Sequence, residues 1–251
     1  MPLVQDRCIC LRKVEYSETS QILTLFAREH GLLRVIAKGA HRKTKVGASK
    51  FGGGLDLLDV GDAMFSHAPD RDLPPLTEWT LREGHLALRK SLRAIYLGEY
   101  AAELINHLIE EHDPHATLFD RLLLVLGELN TPRQEQAFLA FELELLRETG
   151  YLPHLDTCVA CGSKLNDRDR VYVSPSRGGA ICRNCEGGTP DRNELDPRLL
   201  RLAQNLPRME RLPHLTRHQT DPLNRMLAQH IEQTLSKRLR MPRYILNGRG
   251  R

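Results

Sequence analysis

Apolar residues over the first eighty positions come in short runs separated by turn-forming residues, and beyond that point they recur every three or four. This change of period predicts a β-rich start followed by helices. Arg7-Cys8-Ile9-Cys10-Leu11-Arg12 is an extended run, and Ile22-Leu23-Thr24-Leu25-Phe26-Ala27 is a second, rich in strand formers. Arg28-Glu29-His30-Gly31 reads as a hairpin turn that returns Leu32 to Ala37 as a third strand. Glu15 to Ser20, between the first two strands, is polar and loop-like. Leu55 to Val60 is expected as a fourth strand, leading through Gly61-Asp62 into Ala63-Met64-Phe65-Ser66. About five short strands in so short a span suit a small closed barrel, of which the OB fold is the nucleic-acid version.

Pro69, Pro74 and Pro75, with Asp70 and Asp72, break regular structure and mark the expected boundary, giving a small-barrel domain over 1–78 and a helical domain over 79–251. Leu81, Leu88, Leu92, Ile95, Leu104, Ile105 and Leu108 then keep helical spacing through one long segment, kinked near Gly84 or Gly98. Asp113-Pro114 restarts a helix through Leu118, Leu122 and Leu126 to Asn130. Thr131-Pro132 starts another through Phe138, Phe141 and Leu145 to Gly150. These stripes are what packing of a bundle demands, and core is the simpler reading than a ligand box. Two further helices are expected near Pro197 to Asn205 and from Thr220 or Asp221 to Leu239, the latter with Asp221-Pro222 as cap and first-turn proline. The fold class is therefore α+β.

Composition alters this picture little, but charge placement matters. The chain has 251 residues, 41% of them hydrophobic, and a formal net charge of +4. Residues 1–50 hold ten Lys/Arg against four Asp/Glu, residues 99–148 hold three against eleven, and residues 236–251 hold six and no acid. Basic ends suit a polyanion, while the acidic middle faces solvent or another partner. No apolar run approaches the roughly 18 residues of a membrane span, and the start lacks a signal-peptide layout. A cytoplasmic protein without a membrane partner is expected. Cys8 and Cys10 alternate along the first strand and read as small core residues more readily than as a redox pair.

The other four cysteines carry chemistry. Cys158-Val159-Ala160-Cys161-Gly162 is answered by Cys182-Arg183-Asn184-Cys185. Two C-x2-C pairs at this separation read as a tetrathiolate zinc site, each pair chelating through one tight turn, with a ribbon over about 155–188 bringing the second pair round. Two disulfides or four unrelated thiols are the alternatives. Gly162 falls where such a turn needs a positive φ. A filled shell leaves no place for an activated water, so one structural Zn2+ per chain is expected, with His154 as a surface or helix-end residue. Within the ribbon, Arg170 to Ser174 reads as a strand and Arg177-Gly178-Gly179 as a turn.

Lys38 to Gly54 forms a loop with Lys38, His41, Arg42, Lys43, Lys45 and Lys50, no carboxylate and five glycines. Such a loop, with Arg34 on the strand before it, can follow a phosphate chain, with Phe51 or a neighbouring aromatic available for a base to stack on. A solvated surface loop is the plainer alternative. The tail from Lys237 to Tyr244 is a second basic stretch or a frayed terminus. No Walker loop, H-E-x-x-H, G-x-S-x-G or deaminase H-x-E signature occurs, so no catalytic site is expected.

Glu18-Thr19-Ser20-Gln21-Ile22-Leu23-Thr24-Leu25-Phe26, Glu29-His30-Gly31-Leu32-Leu33, Ala37-Lys38-Gly39-Ala40-His41-Arg42 and Tyr151-Leu152-Pro153-His154-Leu155 up to the first cysteine pair together resemble the RecO family of bacterial recombination mediators. The resemblance spans nearly the whole chain. It implies an N-terminal OB-fold barrel followed by a helical domain with an inserted four-cysteine zinc finger. It also implies a non-enzymatic role: binding single- and double-stranded DNA, annealing strands coated with single-strand binding protein, and working with RecR to help load RecA. Some relatives lack the cysteines, which implies a metal that supports the fold. A zinc-ribbon adaptor between proteins is the competing reading, and a nucleic-acid hydrolase a third.

Overall fold

The computed structural model describes residues 3–39, 51–52, 55–66, 73–165, 170–209 and 211–246. The chain divides into two compact units, residues 1–130 and 131–251.

In the first unit, β1 (Leu3–Glu15), β2 (Ser20–Ala27), β3 (Gly31–Lys38), the two-residue β4 (Phe51–Gly52), β5 (Val60–Ser66) and β6 (Pro75–Glu83) form one sheet in the order β3-β2-β1-β5-β6-β4. β3 also pairs in parallel with β6 through Ile36–Pro75 and Ala37–Leu76, which closes the sheet into an OB-fold barrel. Alternation puts Cys8, Cys10, Leu23, Leu25, Leu33, Val35, Phe65 and Trp79 into one buried cluster. Cys8 and Cys10 are thus core residues, and burial pushes both thiols up, Cys10 to about 12, which leaves them inert.

The same unit includes α1 (Leu92–Leu108) and α2 (Ala116–Glu128). The β2–β3 turn is tied to the second of these. Phe26 meets Phe119 at 5.7 Å between ring centres, and Arg28 donates from Nε at 2.9 Å and Nη2 at 2.7 Å to the Asp120 carboxylate. Gly31, at φ 71, leaves no room for a Cβ against the Asp113 backbone. Gly98 continues α1 without a break, and a Cβ there would lie 2.6 Å from Leu58 Cδ1. The glycine marks a close approach and not a kink.

Three expectations for this unit change. Leu55 to Asp59 is not a strand: the Asp59 carboxylate accepts the Asp56 N–H at 2.8 Å, that of Asp56 accepts the Leu57 N–H at 2.9 Å, and Leu58 sits at φ 66. Short acidic side chains there outcompete the sheet ladder, which resumes at Val60. Position 78, the expected boundary, falls inside β6. Pro75 starts that strand, where a missing N–H costs nothing, and the Pro74 carbonyl accepts the Ile36 N–H at 3.0 Å. Leu81 belongs to β6, and a 3-10 turn over Leu86–Lys90 precedes α1.

In the second unit, α3 (Gln134–Glu148) is buried from Glu135 to Leu146, including the carboxylate-bearing Glu135, Glu142 and Glu144. The acidic middle of the chain is therefore not all solvent-facing. After α3 come β7 (Val171–Ser174), β8 (Gly179–Cys182) and β9 (Asn193–Leu195), an antiparallel sheet with β7 central. Then follow α4 (Pro197–Asn205), α5 (Arg217–Leu235) and α6 (Pro242–Leu246). α5 starts earlier than Asp221-Pro222 suggests, because Thr216 and Gln219 form a capping box. Pro222 then lies inside the helix. The basic tail does not fray within the described residues: Leu239, Met241, Pro242 and Ile245 are buried, and Arg217 Nη2 donates to the Ile245 carbonyl at 3.2 Å.

Candidate functional site

Two places in the molecule gather chemistry. The first is a face of the barrel. Antiparallel pairing places Arg12 opposite Thr24 and Thr24 opposite Arg34, so the two guanidinium groups flank Thr24 on one side of the sheet. The next rows along this face are Val14, Ile22 and Ile36, then Ser20 and Lys38. A register shift between Cys10 and Arg12 turns the end of β1 so that Arg12 joins this face. Arg12, Arg34 and Lys38 are exposed, as are Val14 at 41% and Tyr16 at 65%. Among the described residues no carboxylate pairs with any of the three cations. Lys13, on the opposite side of the strand, is by contrast consumed by Asp56 at 3.0 Å.

Of the sequence-derived contact residues, Arg34 and Lys38 thus share one exposed face. His41, Arg42, Lys43, Lys45 and Lys50 lie outside the described residues. Arg12 was missed by sequence reading, since its flanks, Leu11 and Lys13, do not announce a bulge. Phe51, proposed for stacking, is 5% exposed and belongs to the barrel core. The exposed aromatic next to this face is Tyr16.

The second place is the finger. The Sγ atoms of Cys158, Cys161, Cys182 and Cys185 all lie within 4.8 Å of one another, and those of Cys161 and Cys182 are 3.8 Å apart. Four thiolates at about 2.3 Å from one ion have edges of about 3.8 Å, so the set fits a tetrahedral metal ion. All four are free thiols, which removes the disulfide alternative. Gly162 adopts φ 73 and donates to the Cys158 carbonyl at 2.8 Å, closing the first knuckle as its position predicts. In the second, Cys182 N–H donates to Cys158 Sγ at 3.3 Å. Gly179 lets β8 lie directly on the His154 carbonyl, which accepts the Ala180 N–H at 2.8 Å. His154 bonds Thr157 Oγ1 at 2.7 Å and takes no part in the cluster.

Charge explains why this cluster calls for a cation. A hydrogen bond with Ser163 holds the Cys161 thiol down at about 6, while contact with Cys161 and Cys182 pushes Cys185 up to about 12. Four thiols this close cannot all ionise alone, and a bound divalent ion removes the conflict. The finger is braced from its own unit by Gln204 Nε2 donating to the Leu155 carbonyl at 2.8 Å and by Asn193 meeting Gln229 at 3.1 Å.

The family model described as recombination protein O N terminal matches residues 1–85, and the one described as recombination protein O C terminal matches residues 89–242. The first ends just after β6. Among curated proteins, DNA repair protein RecO of Anaeromyxobacter sp. (strain Fw109-5) is 36% identical over 178 residues, 70% of this chain and 68% of that one. RecO of Anaeromyxobacter dehalogenans (strain 2CP-C) is 36% identical over 183 residues, covering 72% and 70%. RecO of Rhodopirellula baltica is 36% identical over 179 residues, covering 70% and 65%. With both models matched in order over nearly the whole chain, on a barrel and a cysteine finger of this geometry, the chain belongs to the recombination protein O family.

Proposed function

We propose that this protein is a DNA repair and recombination mediator that binds single- and double-stranded DNA and anneals complementary strands without catalysing a chemical step. The observation that carries the reading is the barrel face of Arg12, Arg34 and Lys38, three exposed cations with no acidic partner among the described residues. Annealing needs affinity for phosphates that ignores sequence, so that strands are neutralised and still slide into register. Cations on a sheet provide this, and the apolar row of Val14, Ile22 and Ile36 gives the edges of bases a surface to rest on. The loop residues His41, Arg42, Lys43, Lys45 and Lys50 would extend the same contact.

Zinc is the ion we assign to the cysteines, because four thiolates in tetrahedral array favour it over harder cations, and a closed shell makes it structural. In this reading the protein acts in the cytoplasm at the nucleoid, with RecR and single-strand binding protein as partners and RecA as the indirect beneficiary. The test is strand binding and annealing by the triple variant Arg12→Ala, Arg34→Ala, Lys38→Ala. About three lost phosphate contacts should flatten the salt dependence of single-strand binding by about 2 in log–log slope, at about 0.7 per contact. Unchanged binding and annealing would move the reading to the competing one, an adaptor between proteins.

A further inference from the structure

The second unit carries its own concentration of positive charge, away from the cysteines. Residues 197–246 hold ten Lys/Arg against three Asp/Glu. Their arrangement on α4 is regular. Arg198, Arg201, Asn205 and Arg208 follow at i, i+3, i+7 and i+10, which puts them on one side of the helix and the 3-10 turn that continues it. Leu200, Ala203 and Leu206 are buried on the other side. Ten residues of helix span about 15 Å, so the stripe presents cations along a line several phosphates long. Arg198, Arg208 and Arg211 are exposed and have no carboxylate partner among the described residues. Asp196, the acid just before α4, is engaged as the helix cap, accepting the Arg198 N–H at 2.8 Å, and Glu210, between Arg208 and Arg211 in sequence, lies outside the described residues.

This stripe is fixed in advance. Gln204 anchors α4 through the Leu155 carbonyl at 2.8 Å, and the buried leucines hold it against its own unit. Little backbone ordering is then required on binding. Met209 at 41% exposure and Leu212 at 37% alternate with Arg208 and Arg211, leaving apolar surface beside the charges but no aromatic ring for stacking. A cation line of this kind grips a backbone and reads no base.

We propose that the second unit holds a separate, sequence-blind surface for the phosphate chain of a nucleic acid strand, made by Arg198, Arg208 and Arg211. It goes beyond the barrel face and does not depend on it. A regular polyanion suits the stripe better than an acidic peptide, because Arg198, Arg201 and Arg208 repeat along the axis of α4 and its 3-10 turn instead of ringing a pocket, with Arg211 following in the chain. With two surfaces, one chain holds two strands at once.

The experiment is an anisotropy titration of full-length, metal-loaded protein with a short labelled single strand, read for strands bound per chain and for salt slope. The Arg198→Glu, Arg208→Glu, Arg211→Glu protein should bind one strand fewer per chain and lose about 2 of the slope. If charge reversal prevents folding, judged by thermal unfolding, the corresponding Arg→Gln variant should show the same loss in stoichiometry with a smaller change in slope. Unchanged stoichiometry and slope would overturn the proposal, and that is also the outcome if the stripe takes an acidic peptide. The barrel variant separates the two surfaces. Should Arg12→Ala, Arg34→Ala, Lys38→Ala bind as wild type while the stripe variant loses a strand, the barrel reading fails and this one stands.

Discussion

In the barrel, Trp79, Phe65, Leu25, Leu33 and Val35 meet in one buried cluster that, among the described residues, gathers Leu55 and side chains from all six strands. In the finger, among the described residues, Cys158, Tyr172 and Ile181 make a small buried cluster, with Val159, Leu165, Cys182 and Cys185 at its edge. The first region encloses enough apolar surface to fold on hydrophobic burial. The second does not, and three of those seven residues are cysteines. A metal ion held by the four cysteines would supply through metal–thiolate bonds what the finger lacks in core, as in small metal-bound modules. On the reading proposed above, the region with the larger core would carry function on its surface, and the one with the smaller core would spend its chemistry on keeping its shape.

The sharpest way to break this comparison is to remove the metal. Structural zinc sites contribute on the order of 10 kcal/mol or more, so Cys182→Ser should abolish metal binding and melt β7–β9. Elemental analysis and proteolysis around residues 155–188 would register it, and single-strand binding by the barrel should persist. Retained metal with an intact finger would contradict the account. The barrel counterpart is Trp79→Ala, at 1% exposure. A cavity that size costs about 3–5 kcal/mol, and thermal unfolding should show it while metal content stays unchanged. Next in size is Gly179→Ala, whose Cβ would meet the His154 carbonyl and lie 2.8 Å from Val159 Cγ1. Overpacking of this kind costs about 1–3 kcal/mol, and should weaken metal retention against a chelator.

The smallest effect concerns pH. His230 is buried beside the finger, its Nε2 bonded to the Tyr151 carbonyl at 2.9 Å and its Nδ1 buried without a partner among the described residues. A carbonyl partner requires the proton on Nε2, so protonating Nδ1 would create an unpaired buried charge. Burial accordingly holds this histidine below its usual value. The unfolded chain then binds the extra proton more readily, so stability is full above about 6.5 and falls as pH drops through that value. His85, in the other unit, is lowered by burial in the same sense. His230→Gln should remove part of the acid sensitivity, measured as melting temperature against pH, and an unaltered profile would show that His85 dominates.

Much of this was readable from the residues. The cysteine spacing is local, because each pair closes its own turn, and Gly162 signals the left-handed residue that turn needs. The first three strands are legible because alternation within eight residues already separates inside from outside. The failures share a cause. Leu55 to Val60 looks like a strand by residue type, but Asp56 and Asp59 bond their own backbone. Pro75 looks like a boundary, but its partner Ile36 lies far off in sequence and gives it a place at a strand start. Arg12 gives no sign of its role, because a register shift between strands decides its side.

The sequence by itself determined the pairing of the four clustered cysteines, the barrel's first strands and the helical spacing, since each depends on neighbours within one turn or one hairpin. Only the tertiary structure decided that α1 and α2 join the barrel's unit, that the acids of α3 are buried, and that Arg12 and Arg34 flank Thr24. Those facts depend on which distant segments meet, and burial of apolar surface selects among such pairings without leaving a local mark in the chain.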